Sequence, residues 1–173
     1  TPTRFHVEFM PTSPYLAIPE VSSERREYIP LGYLTPSTLA SNKLRLLPNA
    51  SLAEFGILHS SMHMAWMRAV AGRLESRYQY SIHIVYNNFP WPQSISEKQQ
   101  QTIETAAQAV LDARAHYPDS SLADLYDPLT MPPELVKAHH KLDAAVDAAY
   151  SKKKFTGDSD RVAFLFELYQ QLT

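Results

Sequence analysis

Ser51-Leu52-Ala53-Glu54-Phe55-Gly56-Ile57-Leu58-His59-Ser60-Ser61-Met62-His63-Met64-Ala65-Trp66-Met67-Arg68-Ala69-Val70-Ala71-Gly72-Arg73-Leu74 is where the period of the sequence changes. Leu52, Phe55, Leu58, Met62, Ala65, Trp66, Ala69 and Val70 recur at three and four, which predicts one long helix with an apolar face. Ser51 is placed to cap its start and Gly72 to loosen its end. Before it, the apolar runs Phe5 to Phe9, Tyr15 to Ile18, Tyr28 to Leu34 and Leu44 to Leu47 are cut by prolines and are too short for helices. They read as strands of a small, irregular sheet. After it, Tyr78, Tyr80, Ile82 and Ile84 alternate with Gln79, Ser81 and His83, a strand pattern that stops at Asn87. Pro90 and Pro92 bracket Trp91 in a stiff exit that packs the indole into a domain junction.

Beyond Pro92 the pattern is helical. Ser94 with Glu97 has the spacing of a capping box, followed by the stripe Ile103, Ala106, Val110 and Leu111. A loop with a short turn from Leu122 to Tyr126 leads to Pro132 and Pro133, which suit the first turn of a helix with Leu135, Ala138, Leu142, Ala145, Val146 and Ala149 on one face. Lys152 to Lys154 and Gly157 end it, and Asp158 opens a last helix with Val162, Leu165, Leu168, Tyr169 and Leu172 inside. The expected fold class is α+β: a mixed α/β domain over residues 1–92, then an all-α helical domain over residues 93–173.

The chain has 173 residues, 45% hydrophobic and 20% charged, enough to bury a core. No run approaches the roughly 18 apolar residues of a membrane span, so no membrane partner is expected. With no cysteine there is no disulfide, thiolate metal site or cysteine nucleophile, and the expected compartment is the reducing cytoplasm. The start at Thr1-Pro2-Thr3 reads as that of a piece of something longer. The net charge of −2 conceals an asymmetry, because all the acidic residues of 1–92 are glutamates outnumbered by Lys and Arg, whereas acids prevail in 93–173. Only the first part offers a surface for a polyanion.

Most catalytic and metal patterns fail on inspection. His59 and His63 have the spacing of a shared metal, but Ser60 stands where a zinc protease needs its glutamate, and no third ligand is evident. No metal is expected, and His139-His140 is expected at the surface. Asn88-Phe89-Pro90-Trp91 differs from the Asn-Pro-Pro-aromatic loop with which amino-methyltransferases hold a flipped base, since no proline follows the asparagine directly. The four glycines, at 32, 56, 72 and 157, are too scattered to cradle a cofactor or phosphate. Paired serines lack a nucleophile elbow. No catalytic residue is assigned.

More informative is Arg68-Ala69-Val70-Ala71-Gly72-Arg73-Leu74-Glu75-Ser76-Arg77-Tyr78-Gln79-Tyr80, where arginines, a glutamate and a glutamine project from the change of helix to strand. Arg reads guanine O6 and N7, Glu accepts from cytosine N4, and Gln takes adenine N6 and N7. Glu75 and Arg77, two apart, would face one side of an extended segment and could divide one C·G pair. The competing reading is a local salt bridge, worth little if exposed.

Four blocks, Val21 to Leu34, Ser60 to Leu74, Tyr86-Asn87-Asn88-Phe89-Pro90-Trp91-Pro92 and Leu122 to Leu135, resemble in order the C-terminal part of MmeI-like DNA adenine methyltransferases, the family that includes the type IIL restriction-modification enzymes. The resemblance runs through the whole chain. It implies that residues 1–92 are a target recognition domain, truncated at its start, and that residues 93–173 are the adjoining helical domain. It also implies methyl transfer from S-adenosylmethionine to adenine N6 by an upstream domain of the same parent chain, no cofactor in this piece, and double-stranded DNA as partner. The family alternates between a Glu-Ser-Arg form, as at Glu75 to Arg77, and a Lys-Ser-Asp form, associated with C or G beside the methylated adenine. Glu20 with Asn42, and Lys43 with Gln79, match two further recognition pairs, although Gln79 stands where relatives often have Arg. Arg25, Arg26, Arg45 and Arg73 are the expected DNA-backbone contacts. The acidic helical part is expected to brace the recognition domain away from DNA. The alternatives are a structural or protein-interaction domain without base contacts, and a small hydrolase using Ser and His.

Overall fold

The computed structural model describes residues 11–173, so the expected strand Phe5 to Phe9 lies outside the described residues. Strands β1 (Tyr15–Pro19), β2 (Val21–Ser22), β3 (Gly32–Leu34) and β4 (Leu44–Pro48) precede helices α1 (Leu52–Leu58) and α2 (Ser61–Val70). Strands β5 (Gly72–Leu74) and β6 (Arg77–Gln79) follow, then a single π-helical turn, Ile82–Tyr86. Helices α3 (Glu97–Ala115), α4 (Leu122–Leu125), α5 (Pro133–Tyr150) and α6 (Asp158–Leu172) complete the chain. This is the expected α+β class. The strands form two antiparallel three-stranded sheets, ordered β3-β1-β4 and β2-β6-β5.

Several local expectations are corrected. The segment Tyr28 to Leu34 is strand only from Gly32, because Pro30 has no N–H to offer and the Leu31 N–H turns back to the Ile29 carbonyl at 2.8 Å. The single long helix is two. Ser51 caps α1 in a capping box with Glu54, as expected, but the helix stops at His59, and Ser60 is extended at φ −100°, ψ 164°. Asp143 of α5 accepts the Ser61 N–H and hydroxyl, each at 2.7 Å, and so supplies from another helix the cap that opens α2. The strand expected to reach Tyr86 ends at Gln79. Ser81 then accepts the Ile84 N–H, and Asn88 donates to the His83 and Ile84 carbonyls, closing a π-turn that buries Val85 and leaves Ile84 exposed.

In the helical part the capping box is Ser96 with Gln99, two residues after the expected one, and Ala107 and Ala113, rather than Ala106 and Leu111, join Ile103 and Val110 in the buried stripe. Leu172, expected inside, is exposed. His139, expected at the surface, is fully buried, stacked on Tyr28 at 3.9 Å, with its Nε2 accepting the Tyr126 hydroxyl at 2.7 Å. It lies four residues after Leu135 and three before Leu142, squarely on the apolar face.

One hydrophobic cluster runs from Leu16 and Ile18 through α1 and α2 to α3, α5 and Leu165 of α6. At Gly56 of α1 an added Cβ would stand 2.9 Å from Ile103, 3.1 Å from Ala107 and 3.2 Å from Leu142, so α1 lies against both long helices with no room for a methyl group. Within this core Arg114 donates to the Leu31 carbonyl (2.8 Å), the Tyr126 hydroxyl (2.6 Å) and a ring nitrogen of His59 (3.0 Å). Tyr28 donates to Asp143 at 2.7 Å. These bonds tie the N-terminal segment to the helices. Trp91 is half-buried against Phe89 and Tyr86. Among the described residues no helix is long and apolar enough to cross a membrane.

Candidate nucleic-acid interface

Glu20 is the seam between the two sheets. Its N–H donates to the Lys43 carbonyl at 2.9 Å, and its carbonyl accepts the Tyr80 N–H at 2.7 Å. Backbone bonding thus sets Lys43, Glu20 and the end of β6 side by side. Their side chains converge too: Arg45 Nη2 donates to Glu20 Oε1 at 2.8 Å, and Lys43 Nζ lies 3.7 Å from Oε2. Glu20, Arg45, Gly72, Gln79 and Ser81 line an open groove of about 560 Å³. Gly72 faces Gln79 in the register of β5 and β6, and its missing side chain leaves the glutamine amide uncovered.

Alternation along β6 explains which side chains face out. Arg77 and Gln79 are exposed, while Tyr78 and Tyr80 are buried. The Tyr80 hydroxyl shares a 2.9 Å hydrogen bond with His63 Nε2, and Arg73 lies over the Tyr78 ring at 3.9 Å. Burial raises the Tyr80 hydroxyl well above its ordinary range and lowers His63 to about 3, so the pair is a neutral strut beneath the strand. His59 and His63 do not share a ligand, since His59 meets Arg114 and His63 meets Tyr80. Among the described residues no three His, Asp or Glu side chains gather as a metal site.

Glu75 and Ser76 form the two-residue tip between Leu74 and its partner Arg77. The segment is not extended there, contrary to the expectation for residues 75–77. Glu75 has φ 59°, a conformation that costs a non-glycine residue about 1–2 kcal/mol. The two side chains nevertheless meet, Arg77 Nη2 donating to Glu75 Oε2 at 2.7 Å, with 46% and 78% of their side-chain surfaces exposed. A strained, solvent-facing ion pair contributes little to stability.

The other sequence-derived residues fall in different places. Asn42 is exposed beside Lys43 and has no side-chain hydrogen bond among the described residues. Arg25 is exposed. Arg26 turns into the body, donating to the Ala123 carbonyl at 3.3 Å with its Nε buried and unpartnered. Arg73 is exposed but folded onto its own hairpin through the Ser76 carbonyl at 2.9 Å. The Arg45 and Glu20 pairing escaped sequence reading because 25 residues separate them and only strand pairing unites them.

A family model described as MmeI, target recognition domain, matches residues 1–93, and one described as MmeI, C-terminal domain, matches residues 95–173. The chain is 43% identical over its full 173 residues to DNA methyltransferase A of Bacillus subtilis (strain 168), covering 20% of that protein. It is 51% identical to a chain in a solved structure of the type IIL restriction-modification enzyme MmeI in complex with DNA, with a TM-score of 0.94 over 99% of this chain and 23% of that one. The chain therefore spans about a fifth of the length of these relatives.

Proposed function

We propose, from the premise that this chain belongs to the MmeI family, that it is the DNA-reading part of a larger S-adenosylmethionine-dependent adenine methyltransferase. On this reading it recognises bases beside the adenine and carries none of the transfer chemistry. The observation that carries the proposal is the exposed Glu75 and Arg77 pair at the tip of a hairpin. The two groups hold an acceptor and a donor side by side, matching the cytosine N4 amine and guanine O6 of a C·G pair in the major groove. The left-handed backbone at Glu75 favours the same reading, since strain at a solvent-facing tip has no packing reason.

Gln79, Lys43, Glu20 and Asn42 supply the remaining base contacts, with Arg25 and Arg73 as phosphate contacts that fix register. The division at residues 92 and 93 separates the reading domain from a helical domain that braces it. The cytoplasm, where the DNA is, is its compartment. This chain gives S-adenosylmethionine no seat: its glycines are dispersed and none adopts a positive φ among the described residues. No step of methyl transfer is therefore assigned to it.

The test is binding of the full-length enzyme to duplex DNA across a salt series. Affinity is expected to fall as salt rises, and Arg25→Ala or Arg73→Ala to reduce the log–log slope by about 0.9 each. Binding indifferent to salt would overturn the DNA-reading proposal in favour of a purely structural domain.

A further inference from the structure

Arg45 stands apart from the other arginines of the reading face. It is half-buried, with 34% of its side chain exposed against 15% for Glu20, and its Nη2 is given to that carboxylate at 2.8 Å. A guanidinium has five donors in a planar fork, and this bond uses one of them. The pair lines the groove shared with Gln79 and the bare Gly72, so it is open to an approaching edge.

The Glu20 charge decides which edge. A phosphate approaching Arg45 must also approach a carboxylate less than 3 Å from the guanidinium nitrogen, and the like charges repel. A C·G base pair meets no such repulsion. Its major-groove edge is neutral and sets the cytosine N4 donor beside the guanine O6 acceptor. Those two atoms are themselves hydrogen-bonded about 2.9 Å apart, close to the separation of Arg45 Nη2 and Glu20 Oε1. The same arrangement of acceptor and donor occurs at the hairpin tip, where Arg77 and Glu75 are 2.7 Å apart.

We infer that Glu20 and Arg45 form a second C·G-reading unit, Glu20 accepting from cytosine N4 and Arg45 donating to guanine, which makes Arg45 a specificity-determining residue and not a phosphate contact. The inference rests on the proposed function above. Lys43, 3.7 Å from the other Glu20 oxygen, helps keep the carboxylate ionised and aimed.

The experiment is methylation by the full-length enzyme of a duplex library randomised around the adenine, comparing wild type with Arg45→Gln, Arg45→Lys and Glu20→Gln. All three variants are expected to relax one and the same C·G position, with discrimination falling by about 5- to 150-fold. Arg45→Lys keeps the ion pair and the fold but lacks the fork, so it is not expected to restore the preference. A uniform loss of methylation across all sequences, with the motif unaltered, would overturn the inference and make Arg45 a phosphate or structural contact. Rescue of the preference by Arg45→Lys would likewise overturn base reading by the guanidinium. Glu75→Lys with Arg77→Asp, assayed beside them, separates the two levels. If that exchange alters its own position while every Arg45 variant leaves the motif intact, only the second unit fails. If no variant alters any position, the reading function itself fails.

Discussion

Arg114 is a cation in the core with no carboxylate against it among the described residues; a carbonyl, a phenol and an imidazole satisfy its donors instead. That choice constrains the histidines around it. Burial, and then the charge of Arg114, hold His59 and His139 well below the usual histidine range, and burial alone lowers His63 from 6.5 to about 3. Each is neutral when folded and takes up a proton more readily when unfolded. Their contribution is therefore complete above about pH 6.5 and lost as pH falls toward the folded values, by up to about 1.4 kcal/mol per pH unit for each fully linked proton. Asp143 works the other way, because burial raises its carboxyl despite the bonds from Ser61 and Tyr28. With three groups against one, the urea midpoint is expected to fall between pH 7 and pH 5. A midpoint that is flat or rises over that interval would contradict neutral buried imidazoles. His139 was legible as a core residue from its spacing to Leu135 and Leu142, but its adjacency to His140 argued for the surface.

At the scale of elements, the sequence announces periods and hides the breaks. Leu52, Phe55 and Leu58, then Met62, Ala65 and Trp66, do form helical faces. Nothing local marks the break at Ser60, because its cap is Asp143, 82 residues away. The apparent strand through Ile82 and Ile84 fails for a related reason: Trp66 donates to the Val85 carbonyl at 3.0 Å and anchors the π-turn from a different helix. The candidate site divides in the same way. Glu75 and Arg77 are close in sequence and were legible as a pair, whereas Glu20 and Arg45 meet only through the register of β1 and β4. The close approach of α1 to α3 and α5 gives an element-scale prediction. Gly56→Ala gains up to about 1 kcal/mol of helix propensity but crowds Ile103, Ala107 and Leu142. Overpacking costs typically about 1–3 kcal/mol. A net loss of about 1 kcal/mol is expected, seen as a Tm lower by about 2–4 °C. A raised Tm would show that α1 can shift without cost.

For the whole molecule, the two family segments share one hydrophobic cluster, so the helices form a rigid base for the reading face. β5 follows α2 after the single residue Ala71, and α2 is held to α6 by the 2.6 Å ion pair of Arg68 with Asp158. A short hairpin on such a base projects its tip with little freedom, as base reading requires. The net charge of −2 supplies little nonspecific attraction to DNA, which leaves discrimination to a few placed side chains. The most direct test of that claim is the methylated motif of the full-length enzyme carrying Glu75→Lys with Arg77→Asp. The expected result is a change from C to G at one position beside the adenine, with every other position as in wild type. Methylation that persists with an unchanged motif would make the hairpin-tip pair a surface salt bridge and contradict the account.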